Sequence, residues 1–189
     1  MPLIVQLEFS DAELEYFRSL MEQARTRASG RTPHEISTAA RDEIERLRSV
    51  ARSPFIARRV ARMDRLIAML EDPEWQLPEP GRRRVLDALA YVAEANDLVP
   101  DNVPTLGLVD DAIMLELVLR ELQHELDGYE DFDEFRREEA ARRTRAGDHK
   151  AVSREDWLDS KRQALHERIR ERRERDLSMG AEFQLITHF

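Results

Sequence analysis

The most constraining feature of the sequence is a short run of apolar residues, 113–119, in which only Glu116 carries a charge. Apolar side chains on nearly all sides of two helical turns are typical of a helix that other helices surround. The run is much shorter than the roughly 20 apolar residues that a helix needs to cross a bilayer. We therefore predict an all-α protein, a bundle of about six or seven helices centred on residues 109–126.

Start and stop signals divide the rest of the chain into helices. Ser10 with Glu13, and Thr32 with Glu35, have the spacing of a capping box, and Pro54 suits the first turn of a third helix. Gly128 is a residue that can close a helix C-terminus in the left-handed conformation. Together with the apolar stripes, these signals predict helices at residues 10–30, 32–52, 54–70, 84–96, 109–128, 130–146 and 153–176.

The two ends of the chain show a different pattern. Residues 3–9 and 182–189 alternate between apolar and polar side chains, which is typical of half-buried strands. A single strand has no partner, so we predict a minor strand pair formed by the two termini, within one chain or across a dimer. The expected organisation is one globular domain with an extension. It consists of an N-terminal strand and helix (1–30), a helical core (31–146), and a charged C-terminal helix with its strand (147–189).

Composition excludes several classes of function. Charged residues make up 37% of the 189 residues and the net charge is −9, which argues against general nucleic-acid binding. The absence of cysteine excludes disulfides and cysteine-ligated zinc. The first residues lack the basic-then-apolar pattern of a signal peptide, so we expect a cytoplasmic location.

A proline-stiffened acidic segment precedes the apolar run. Residues 97–115 read DLVPDNVPTLGLVDDAIML, and Pro100 and Pro104 restrict the backbone of the loop. The segment resembles the signature of the YkvA-like family, a bacterial domain of unknown function. The residues that match its pattern are Asp97, Leu98, Pro100, Asp101, Pro104, Gly107, Asp110 and Asp111.

The resemblance covers residues 84–128 and implies a fold and a lineage more than a reaction. Family members usually have Ser-Pro-Ile before the first aspartate, whereas Glu94, Ala95 and Asn96 stand there in this chain. The family brings no established chemistry with it.

The sharpest chemical hypothesis is a cation site. Magnesium, calcium and manganese prefer clustered oxygen ligands, which a stiff loop folded over a helix N-terminus could supply. The candidate ligands are Asp97, Asp101, Asp110 and Asp111. In the alternative interpretation the first two aspartates cap turns and the last two complement the helix dipole.

Other constellations are less specific. Glu121 and His124 have the Glu-x-x-His spacing of di-iron bundles, but no second pair of this kind occurs in the sequence. Arginine clusters at 82–84, 142–145 and 168–175 read mainly as solvent-facing helix surface, with contact to an anionic ligand or a membrane headgroup as the alternative. The methionines at 63, 69 and 114 have the spacing of core residues.

The leading hypothesis is a non-enzymatic bacterial interaction or regulatory protein of the YkvA-like type. Its long charged C-terminal helix and terminal strands would then serve self-association or the binding of a protein partner. One alternative is a metal-dependent hydrolase that uses the aspartate-rich loop. Another is a peripheral protein that binds a membrane surface through the proline loop.

Overall fold

The structure, a computed structural model, describes residues 4–50, 54–94, 109–146, 154–179 and 183–188. These residues form seven helices, which confirms the predicted all-α class. The number agrees with the six or seven helices that the sequence predicted. The helices are α1 (Asp11–Arg27), α2 (Pro33–Val50), α3 (Pro54–Glu71), α4 (Glu79–Ala93), α5 (Val109–Glu121), α6 (Gln123–Ala146) and α7 (Arg154–Met179).

Both predicted capping boxes are present. The Ser10 hydroxyl accepts a hydrogen bond from the backbone N–H of Glu13, and the Glu13 carboxylate accepts one from the backbone N–H of Ser10 at 2.7 Å. Thr32 and Glu35 make the same reciprocal pair before α2, at 3.2 and 2.6 Å. These bonds satisfy backbone donors that the first helical turn leaves free, so they fix where each helix begins.

Helix α5 packs among other helices, as its apolar run predicts, but the helices with the most neighbours are α3 and α4, so the bundle is not centred on α5. Helix α5 contacts α3, α4 and α6, while α4 also packs against α1 and α2, and α7 packs against α6. Ala112, Leu115 and Val118 are fully buried on α5. The predicted core methionines, Met63, Met69 and Met114, are also buried.

The prediction that Gly128 closes a helix is wrong. Helix α5 ends at Glu121, a single residue, Leu122, joins it to α6, and α6 runs through Gly128 to Ala146. A Cβ atom at Gly128 would lie 2.5 Å from the Ile169 side chain of α7. The glycine therefore permits the close approach of two helices, a role that depends on a residue far away in sequence.

The connection between α3 and α4 is ordered, as its prolines and tryptophan suggest. Trp75 is fully buried, and its ring packs against Phe132 of α6 and edge-on against His166 of α7, at centroid distances of 5.1 and 4.4 Å. The Asp72 carboxylate accepts hydrogen bonds from the backbone N–H groups of Glu74 and Trp75. The connection thus anchors α6 and α7 to the rest of the bundle.

The backbone at the two ends of the chain runs as strands β1 (Ile4–Phe9) and β2 (Phe183–His188), which lie antiparallel with Ile4 opposite His188 and Phe9 opposite Phe183. Because Ser10 joins β1 directly to α1, and β2 follows α7, both strands extend from the same end of the bundle. The predicted strand pair of the two termini, within one chain or across a dimer, stays a prediction. Among the helices described, none is long and apolar enough to cross a membrane.

Candidate functional site

A groove of about 520 Å³ opens where α1 begins, α5 meets α6 and α7 ends. We call it the terminal groove. Its apolar lining comes from Leu14 and Phe17 of α1, Leu117 of α5 and Leu177 of α7. Leu177 is 79% exposed, which is unusual for a large apolar side chain in this structure. The groove lies at the end of the bundle from which the terminal strands extend.

Alternating arginines and glutamates join five helices at this groove. We call them the arginine–glutamate ladder. Arg84 of α4 and Arg173 of α7 both donate to the Glu125 carboxylate of α6, with closest distances of 2.6 Å. Arg173 also lies 3.5 Å from Glu121 of α5, and Glu121 accepts a hydrogen bond from Arg18 of α1 at 2.9 Å. The ladder therefore ties together the helices that form the groove.

The ladder stabilises charge on a carboxylate that has no access to solvent. Glu125 is fully buried, and burial alone would raise its pKa. The hydrogen bonds and charge of Arg173, together with the charge of Arg84, outweigh burial and lower the pKa of Glu125 below its usual range. Although burial has the opposite effect, Glu121 raises the pKa of Arg18 and Glu125 raises that of Arg173. Glu125 is thus held as an anion, not poised to exchange protons at neutral pH.

The predicted Glu121–His124 pair lines the groove, but both side chains already contact residues of other helices. Glu121 accepts from Arg18, as described, and the His124 Nε2 atom lies 2.6 Å from the Asp176 carboxylate of α7. The Nδ1 atom of His124 is buried. The His124–Asp176 contact ties α6 to the end of α7.

The four candidate metal ligands lie away from the groove or outside the described residues. Asp97 and Asp101 lie outside them, and Asp110 is in the first turn of α5. Asp111 is buried and its carboxylate lies 3.5 Å from the guanidinium of Arg46 on α2. Within the parts of the chain that the structure covers, no group of three or more potential ligands could hold a metal ion. The cation site stays a prediction.

A second polar network fixes the α3–α4 connection to α6. Arg136 donates to the carboxylates of Asp72, Glu74 and Asp133 at 2.8, 2.9 and 2.6 Å. The Tyr129 hydroxyl donates to Asp72 at 3.0 Å, and burial, with the nearby Asp72 charge, raises the pKa of Tyr129 to about 12. The network has a structural role because its groups bind one another.

Sequence reasoning missed the centre of the ladder. It assigned the arginines at 82–84 and 168–175 to solvent-facing surface, whereas Arg84 and Arg173 reach a buried carboxylate. One signal pointed to Glu125, which follows Val118 and Leu122 at the seven- and three-residue spacings of an inward-facing stripe. A charge in such a position requires a buried partner.

Compared with known proteins, the chain matches no family model, no curated protein and no solved structure.

Proposed function

We propose that this chain is a non-enzymatic interaction or regulatory protein that self-associates through its terminal strands and the end of α7. The observation that carries the proposal is the two-stranded arrangement of β1 and β2. A two-stranded ribbon is marginally stable alone, and each strand has an outer edge that could pair with another chain. Pairing of two ribbons would satisfy those edges.

The terminal groove supports the same proposal. Leu177 is largely exposed and lies in the last turn of α7, so it supplies apolar surface to the groove. Three charged residues of the groove lining, Arg18, Glu121 and Arg173, bind one another in the arginine–glutamate ladder. Apolar contact and strand pairing, rather than acid–base chemistry, are therefore what this end of the molecule offers to a partner.

The proposal also covers the family and the cellular location that the sequence predicts. We infer a bacterial, cytoplasmic protein of the YkvA-like type, on the strength of the matching residues in the 97–115 segment. The interaction role does not depend on this lineage, because it is argued from the strands and the groove.

Light scattering across a concentration series tests the proposal. The full chain should give a mass above that of one 22.1 kDa chain. Replacing Phe183–His188 with a glycine–serine segment of equal length should reduce the mass to the monomer value. Tyr16→Ser is the control, because it removes a 65% exposed side chain of α1 without altering either strand. A wild-type monomer at every concentration, or an unchanged mass after the replacement, would contradict the proposal.

A further inference from the structure

Helix α7 is held to the bundle in two different ways along its length. Its first part packs through apolar side chains: Leu158, Leu165 and Ile169 are buried, and the Trp157 ring contacts Phe135 of α6 at 5.5 Å. None of residues 170–178 is buried. The last turns of the helix therefore lack the apolar contact that usually fixes a helix to its domain.

Apart from the pairing of β2 with β1, one side chain makes the main contact of this last part with the bundle. Arg173 donates two hydrogen bonds to the Glu125 carboxylate, each at 2.6 Å, and one to the backbone carbonyl of Glu121, also at 2.6 Å. Asp176 contacts His124, but it is 59% exposed, and such pairs contribute little. The guanidinium of Arg173 thus holds the end of α7 against α5 and α6.

We propose that residues 170–179 form a latched arm, which the Arg173–Glu125 contact holds closed and whose release opens the terminal groove. Arg173, Asp176 and Leu177 form the α7 side of that groove. When they move away, the apolar side chains of α1 and α5 on the opposite side gain exposure.

The geometry at Glu125 makes release less costly than the opening of an isolated buried pair. Arg84 donates to the same carboxylate at 2.6 and 3.0 Å, so Glu125 keeps a cationic partner when Arg173 leaves. The freed guanidinium regains water, since residues 174–178 of the arm are already exposed. The usual penalty of an uncompensated buried charge is therefore largely avoided on both sides.

Full release of the arm would also separate β2, which follows α7 in the chain, from β1. A freed β2 could pair with β1 of a second copy, and the latch would then control self-association. This consequence rests on the proposed function, whereas the latch itself does not.

Hydrogen exchange on the full-length chain tests the latch. In Arg173→Met, the backbone amides of residues 170–179 should exchange about tenfold faster or more, while those of residues 154–169 keep wild-type rates. Arg170→Met is the matched control, because Arg170 is exposed and pairs with Glu167 and Glu174 of its own helix. Wild-type protection of the arm in Arg173→Met, or equal loss of protection along all of α7, would overturn the proposal.

A second variant covers the case in which Arg173→Met does not fold. Arg173→Lys keeps the positive charge but cannot make the paired hydrogen bonds, so it should accelerate exchange in the arm alone by a smaller factor. Light scattering on the same samples separates the latch from the proposed function. Faster exchange with a higher mass supports both, whereas faster exchange with an unchanged mass supports the latch and contradicts its link to self-association.

Discussion

Gly128 of α6 lies directly against Ile169 of α7, so closely that a Cβ atom at position 128 would lie 2.5 Å from Cδ1 and 3.0 Å from Cγ1 of the isoleucine. The two helices approach each other where one of them has no side chain. The contact also marks the end of the apolar part of α7, because no residue from 170 to 178 is buried.

Gly128→Ala should lower the free energy of unfolding by about 1 kcal/mol, because overpacking against Ile169 outweighs the better helix propensity of alanine. Ile169→Val removes the Cδ1 atom that clashes, so the double variant should be more stable than the two single effects predict. Urea unfolding measures all three proteins. Additive effects would contradict the close contact, and Gly30→Ala, which meets nothing within 4 Å, tests overpacking at a position with free space.

Glu125→Gln should destabilise the protein by about 3 kcal/mol. The amide is neutral, and its NH2 group cannot accept a hydrogen bond from Arg84 or Arg173. Glu138→Gln, on the exposed face of the same helix, should change the free energy of unfolding by less than about 0.5 kcal/mol. Urea unfolding at neutral pH provides the comparison. Equal stabilities of the two variants would show that the ladder contributes nothing to the fold.

The stability that Glu125 provides should also depend on pH. Its pKa is lower in the folded protein than in the unfolded chain, so the contribution is present above the unfolded value and is lost as the pH falls through the folded value. Between neutral pH and about pH 3, wild type should therefore lose more stability than Glu125→Gln. Parallel losses in the two proteins would contradict the lowered pKa.

His166 should remain neutral in the folded protein well below neutral pH. Burial, together with the charge of Arg162, lowers the pKa of His166 to about 4 despite an opposing hydrogen bond to the Trp75 backbone. Because the unfolded chain takes up the proton near pH 6.5, stability should fall as the pH drops from 6.5 towards 4.

An NMR titration of the imidazole checks the protonation state directly. His166→Gln should reduce the loss of stability over that pH range, whereas the exposed control His34→Gln should not. Protonation of His166 near pH 6.5 in the folded protein would contradict the prediction.

Arg136→Met should cost about 2–4 kcal/mol, because the carboxylates of Asp72, Glu74 and Asp133 lose their shared cation. Arg137→Met is the matched control on the next residue. Arg137 is 72% exposed and lies 3.6 Å from Asp133, so its loss should cost at most about 1 kcal/mol. Thermal or urea unfolding that ranks the two variants equally would contradict the role of the network.

Isothermal titration with magnesium, calcium and manganese tests the aspartate-rich segment. If Asp110 and Asp111 serve the start of α5, as the pairing of Asp111 with Arg46 favours, the protein should show no saturable binding. Saturable binding that Asp101→Asn and Asp110→Asn both abolish would instead make the segment a metal site. Thermal melts with each ion provide a second readout.

Local features of the chain were predictable because they depend on residues a few positions apart. The capping boxes at Ser10 and Thr32 join residues three positions apart, and helical spacing alone identified the buried methionines. The predicted helix bounds missed the joint at Leu122, because the continuous apolar pattern there suits one helix as well as two.

The sequence by itself determined the helical class, most helix starts and the buried faces, since the side-chain pattern along each segment sets these. Only the tertiary structure decided the partners of Glu125, because Arg84 and Arg173 are 41 and 48 positions away. It also decided the role of Gly128, which depends on the side chain that α7 places against it. The sequence pattern indicates that a buried anion requires a cationic partner, but the packing of the helices decides which arginine can reach it.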